Sequence, residues 1–151
     1  MKKMILGLCF GSALIFGCKK ESSTKPSGTT TPPAKDGFFW KEDSGAEIQA
    51  DSAFWTTWSS GTGIRAYKNG MANFFEINWA PANATAVGDY SLTTPYGATF
   101  LKGSDTYTIS STQTIHITGF SSDKLSGNFT LDVTGPSIKK ISANFNNIPK
   151  K

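Results

Sequence analysis

The sequence predicts an all-β protein, an antiparallel sandwich or flattened open barrel of seven to nine short strands. Three observations carry this expectation. Apolar side chains alternate with polar ones at a period of two, turn-forming residues separate the alternating runs, and no stretch of ten or more residues shows a convincing helical stripe. A chain of 151 residues allows one folded domain and hardly two.

The strands follow in chain order. Phe75, Ile77 and Trp79 alternate with Phe74, Glu76 and Asn78, and Tyr107 and Ile109 alternate with Thr106 and Thr108. Ile115 and Ile117 flank His116, Phe129, Leu131 and Val133 enclose Thr130 and Asp132, and Ile141, Ala143 and Phe145 alternate with Ser142 and Asn144. Each pattern suits a strand buried on one face. Lys68-Asn69-Gly70-Met71 predicts a type I′ hairpin joining Ile64–Tyr67 to Ala72–Trp79. Further reversals are expected at Ser59–Gly63, Gly103–Asp105, Ser121–Asp123 and Thr134–Pro136. Glu47–Trp58 is the only candidate helix, and its Thr and Ser content favours strand or loop.

The first 36 residues have another composition. Met1-Lys2-Lys3 precedes an apolar run from Met4 to Phe16, too short to span a bilayer but suited to the core of a secretory signal. Leu14-Ile15-Phe16-Gly17-Cys18 resembles a bacterial lipobox, which implies cleavage after a signal peptide of residues 1–17 and acylation of Cys18. Residues 18–36 then form a Ser/Thr/Pro/Lys-rich stretch with one aliphatic side chain, Ala34, and read as a disordered tether. Such a tether spans about 23 Å as a flexible coil and at most about 55 Å when stiffened by proline. Residues 37–151 are the all-β domain. Cys9 leaves with the leader, so the mature domain holds no disulfide, thiol nucleophile or iron–sulfur ligand.

The formal charge of +4 belongs to this N-terminal region. The domain from Gly37 onward carries nine basic and nine acidic residues. A nucleic-acid footprint is therefore not expected.

Phe38-Phe39-Trp40, Gly88-Asp89-Tyr90, Thr114–Thr118, Ser126–Leu131 and Ala143–Ile148 occur in an order that resembles the small Bacteroidota lipoproteins with a C-terminal all-β domain of unknown function. The likeness covers roughly Phe38 to Ile148 and rests on strand-and-turn signatures. It implies an all-β fold at the cell envelope and no particular activity. The Lys19-Lys20-Glu21 charges after Cys18 partly resemble a surface-export signal. The expected location is the outer membrane, lipid-anchored, on the periplasmic face or the cell surface.

No catalytic constellation is legible. His116 is the single histidine, occupies an outward-facing strand position, and no Gly-x-Ser-x-Gly elbow accompanies it. Among the acids only Glu76, between Phe75 and Ile77, has an aromatic setting that fits a catalytic acid. Neither a cofactor nor a metal site is expected, since one histidine and scattered acids supply no ligand cluster.

Aromatic residues are the main functional signal: 17 of the 115 domain residues are Phe, Trp or Tyr, more than a small core obviously needs. Phe54 and Trp58 fall on one strand face and Trp55 on the other, so at least one indole should face solvent. Indole faces beside Asn, Asp and Thr suit sugar rings, and Trp55, Trp58, Tyr67 and Tyr96 are the candidate ligand-binding residues. Asp51-Ser52-Ala53 resembles an O-glycosylation acceptor pattern and makes Ser52 a candidate for modification. The expected role is a monomeric, non-catalytic binding module for a glycan or an envelope protein. A small glycan-active hydrolase and a calycin-like carrier of an apolar ligand are the alternatives. Radiolabelled palmitate should label the wild-type protein in cells and leave Cys18→Ala unlabelled.

Overall fold

The computed structural model describes residues 34–80, 86–94 and 97–151. The signal peptide, Cys18, the tether up to residue 33 and Tyr96 lie outside the described residues. The described residues form eleven strands: β1 (Gly37–Glu42), β2 (Ile48–Gln49), β3 (Ser52–Trp58), β4 (Gly61–Lys68), β5 (Asn73–Trp79), β6 (Gly88–Leu92), β7 (Ala98–Lys102), β8 (Asp105–Ile109), β9 (Gln113–Phe120), β10 (Lys124–Thr134) and β11 (Lys140–Pro149). Glu47–Trp58, the one stretch with any helical character, forms β2 and β3.

Nine strands follow one hydrogen-bonded path, β2-β1-β11-β10-β8-β7-β5-β4-β3, and curl into an open antiparallel half-barrel. Strand β9 branches from β10 and carries β6 on its other edge. The long β10 is the corner of the fold. Its first half pairs with β9, and its last residues, Val133 and Thr134, pair with β8. Between β8 and β9 the chain passes from one layer to the other while staying on the same edge of β10, which is how corner strands join two layers. At the opposite end, Lys151 N–H donates to the Trp55 carbonyl (2.9 Å), and a single parallel bridge joins Trp55 to Lys150.

The period-two alternation holds along the central strands. Phe129, Leu131 and Val133 of β10 and Ile141, Ala143 and Phe145 of β11 point inward with Ile115 and Ile117 of β9. Ile64, Ala66, Phe75, Ile77, Phe100 and Tyr107 face them from the other layer. Aromatic rings fill the interior: Phe75 stacks on Phe100 with centroids 4.2 Å apart, and Trp40 meets Phe75 edge-on at 5.2 Å. Such pairs contribute about 0.5–1.5 kcal/mol each beyond the area they bury.

Two turns differ from expectation. Lys68 pairs with Asn73 rather than Met71, so a four-residue loop replaces the two-residue type I′ hairpin. Asn69 and Gly70 do take the expected positive φ values of 53° and 66°, but the Asn69 N–H is held by the Asp51 carboxylate (2.7 Å), and the turn closes instead from Ala72 N–H to the Asn69 carbonyl. The reversal expected over Ser59–Gly63 is confined to Ser59 and Ser60. Gly61, Thr62 and Gly63 belong to β4, where Trp58 pairs with Gly61 and Thr56 with Gly63.

Phe38 is the ring most widely shared across the interior, and its truncation leaves a void that packed neighbours on both layers cannot close. Phe38→Ala should lower unfolding free energy by about 4 kcal/mol, whereas Thr99→Ala on the outer face should stay within about 0.5 kcal/mol. Urea titration followed by tryptophan fluorescence measures both.

Candidate functional site

The four aromatic candidates do not assemble into one site. Trp55 is only 1% exposed; it packs edge-on against Phe120 (5.4 Å) with the Lys150 ammonium 5.0 Å from its ring. It is a core residue and offers no face to a ligand, because β3 turns its odd-numbered side chains of this region inward. Tyr67 lies half-buried on the outer face between Phe54 (6.1 Å) and Phe74 (5.0 Å), forming an aromatic ladder across β3, β4 and β5. Tyr67 pairs with Ser52 at the start of β3, six residues from Trp58 at its end, a separation of about 20 Å along the strand. Tyr96 lies outside the described residues.

Trp58 is the candidate that faces solvent, 37% exposed at the end of β3. Its indole lies across β4, over Gly61 and Gly63. A Cβ built on Gly63 would sit 2.5 Å from the Trp58 Cη2 and 2.6 Å from the Asn78 Oδ1. The glycine pair in mid-strand thus has a packing reason: it leaves the floor on which the indole rests, as aromatic side chains cover strand glycines. Beyond the ring opens a cleft of about 330 Å³, walled by Trp58, Ser60, Asn78, Trp79, Ser91 and Thr93. It joins the β3–β4 turn, the end of β5 and the strand β6. Trp79 is 3% exposed, and its Nε1–H finds no acceptor among the described residues. A buried donor without a partner costs about 1–3 kcal/mol.

On the other layer a groove of about 350 Å³ runs over β1, β11, β10 and β9. Phe39 and the carboxamides of Asn128, Asn144 and Asn146 line it together with Ser126 and Thr118. These asparagines alternate correctly with core residues and read in the sequence as ordinary outward strand positions. Only the pairing register reveals that they meet.

The residues weighed for catalysis are engaged elsewhere. Glu76 sits on the outer face opposite Arg65, whose Nη2 donates to its carboxylate at 2.9 Å. His116 is exposed as expected, and its Nδ1 lies 2.7 Å from the Asp89 Oδ1. No serine hydroxyl is hydrogen-bonded to the imidazole among the described residues. No group of three or more His, Cys, Asp and Glu able to hold a metal ion occurs among the described residues.

Ser52 is exposed at the first position of β3. Its neighbour Asp51 accepts from Lys68 Nζ and from the Asn69 backbone N–H, both at 2.7 Å. No protein-family model, curated protein or solved structure matches the chain.

The Lys68 hydrogen bond, followed by that of the Asn69 N–H, holds the Asp51 carboxyl below the ordinary carboxylate range. A carboxyl with a depressed folded pKa contributes stability above its unfolded pKa of about 3.9, and that contribution is lost as pH falls through the folded value. Asp51→Asn should therefore melt below wild type at neutral pH. The gap should close on acidification below about pH 4, as thermal melts across that range would record.

Proposed function

We propose that this chain is a non-catalytic glycan-binding module, lipid-anchored in the outer membrane through Cys18 and carrying its domain on the 18–36 tether at the periplasmic face or the cell surface. The observation that carries the glycan reading is the Trp58 cleft. An exposed indole stands beside Asn78, Ser60, Ser91 and Thr93, and the buried Trp79 forms a further wall. Sugars present apolar C–H faces and hydroxyl edges in one molecule, and this cleft pairs an aromatic surface with short polar groups.

The other readings have less support. The half-barrel interior holds packed aromatic rings where a calycin-like carrier needs a ligand chamber. Glu76 is paired to Arg65 on an outer face where a hydrolase needs an acid in a cleft. The neutral charge balance of the domain speaks for an uncharged ligand over nucleic acid.

Glycan-array screening of the full-length chain tests the reading. At least one glycan should be retained, and Trp58→Ala should weaken it by about tenfold while the variant keeps the β-sheet circular dichroism of the wild type. A blank array with folded protein, accompanied by specific capture of an envelope protein, would replace the glycan with a protein partner.

A further inference from the structure

The outer face of the layer containing β1, β11, β10, β9 and β6 carries a row of side chains in direct cross-strand register. Phe39 pairs with Asn144, Asn144 with Asn128, Asn128 with His116, and His116 with Asp89. The row runs perpendicular to the strands. At about 4.8 Å between neighbouring strands, it extends roughly 19 Å from Phe39 to Asp89, and its Phe39, Asn144 and Asn128 members line the groove described above.

Its two central members are carboxamides. Asn144 is exposed and Asn128 half-buried, and neither side chain hydrogen-bonds with the described residues, although they stand directly opposite one another. Nearby polar groups are occupied. Asn146 Nδ2 donates to the Ala34 carbonyl and to Asp36, and Ser126 Oγ donates to Asn146 Oδ1 (3.0 Å). The unoccupied pair therefore offers two acceptors and four donors at adjacent strand positions. Phe39, 8% exposed, supplies an apolar floor at one end, and the His116–Asp89 pair closes the other.

These features select one occupant. Lys35 with Glu47 in the groove and His116 with Asp89 at the far end of the row give no excess of either sign, so a polyanion finds no counter-charge. Strands β1, β11, β10 and β9 are bonded on both edges, so no peptide strand can add to them. Apolar surface is limited to the floor. What remains is a chain rich in hydroxyls, uncharged, with a repeat close to the strand spacing. The pyranose unit of a linear polysaccharide has that length, and each strand then presents one side chain to each sugar.

We infer that this face binds a linear, uncharged polysaccharide lying across the strands along Phe39, Asn144, Asn128 and His116. It is a second site, on a different layer from the Trp58 cleft, and it does not need that cleft to function. The glycan reading above is thereby extended to a substrate class.

Calorimetric titration of the full-length chain in detergent micelles provides the test. The probes are neutral hexaoses of β-1,4-linked glucose, β-1,3-linked glucose and β-1,4-linked mannose, with glucose and an α-1,4-linked hexagalacturonate as comparisons. At least one neutral hexaose should bind, glucose should bind at least about tenfold more weakly, and hexagalacturonate should not compete. Asn128→Ala combined with Asn144→Ala should weaken the hexaose by about tenfold with an unchanged melting temperature, and Thr99→Ala, on the outer face of the other layer, should leave this binding in place. Loss of binding in Trp58→Ala with full retention in the asparagine double variant would overturn this inference and leave the cleft as the glycan site. Absence of binding by all three neutral hexaoses, or equal binding of hexagalacturonate, would overturn it as well.

Discussion

The fold depends on one ring. Phe38, delivered by β1, lies 5.3 Å from Phe75 on one layer and about 6 Å from Phe129 and Phe145 on the other. Sheet hydrogen bonds fix each strand to its neighbours but say nothing of how a sheet folds back on itself. The curl is fixed where the rings of β1, β5, β10 and β11 meet, because aromatic groups packed at this density admit few other arrangements. Strand β1 can bring Phe38 there only by pairing with β11, which joins the first and last strands of the domain. Everything outside the core inherits this geometry, including the register that lines up the outer faces.

Much of this is legible in the sequence. The all-β class, the alternating inward residues of β9, β10 and β11, and the outward placement of His116 follow from a period of two and from turn chemistry alone. Pairing between distant strands was not readable. Nothing local tells that β6 leaves β5 to join β9, or that β1 and β11 are neighbours, since those choices are made by contacts far apart in sequence. The Lys68–Met71 turn shows the same limit on a smaller scale. Asn69-Gly70 has the right residues for a tight hairpin, yet the carboxylate of Asp51, from another strand, takes the N–H and the loop widens.

The candidate site was legible in part. Strand alternation correctly placed Trp55 and Trp58 on opposite faces, but only the fold decides which face is the core. Tyr67 belongs to an outer ladder about 20 Å along the strand from Trp58. The Gly61 and Gly63 pair, read as turn residues, serves instead as the bed of the indole. The asparagine row is not legible in the sequence for a different reason. Asn128 and Asn144 are each unremarkable in their own strands, and their meaning lies in the register between strands.

The point where the chain enters the domain, at Ala34–Asp36, has a mechanical consequence. Asp36 accepts from the side chains of both Asn146 and Asn147, and Asn146 also donates to the Ala34 carbonyl. Tension applied to the chain ahead of the domain therefore does not peel β1 from a free edge. It passes through these side chains into β11, a strand flanked by β1 and β10, and is spread over two ladders of hydrogen bonds at once. A domain held this way resists being unravelled from its N-terminal end.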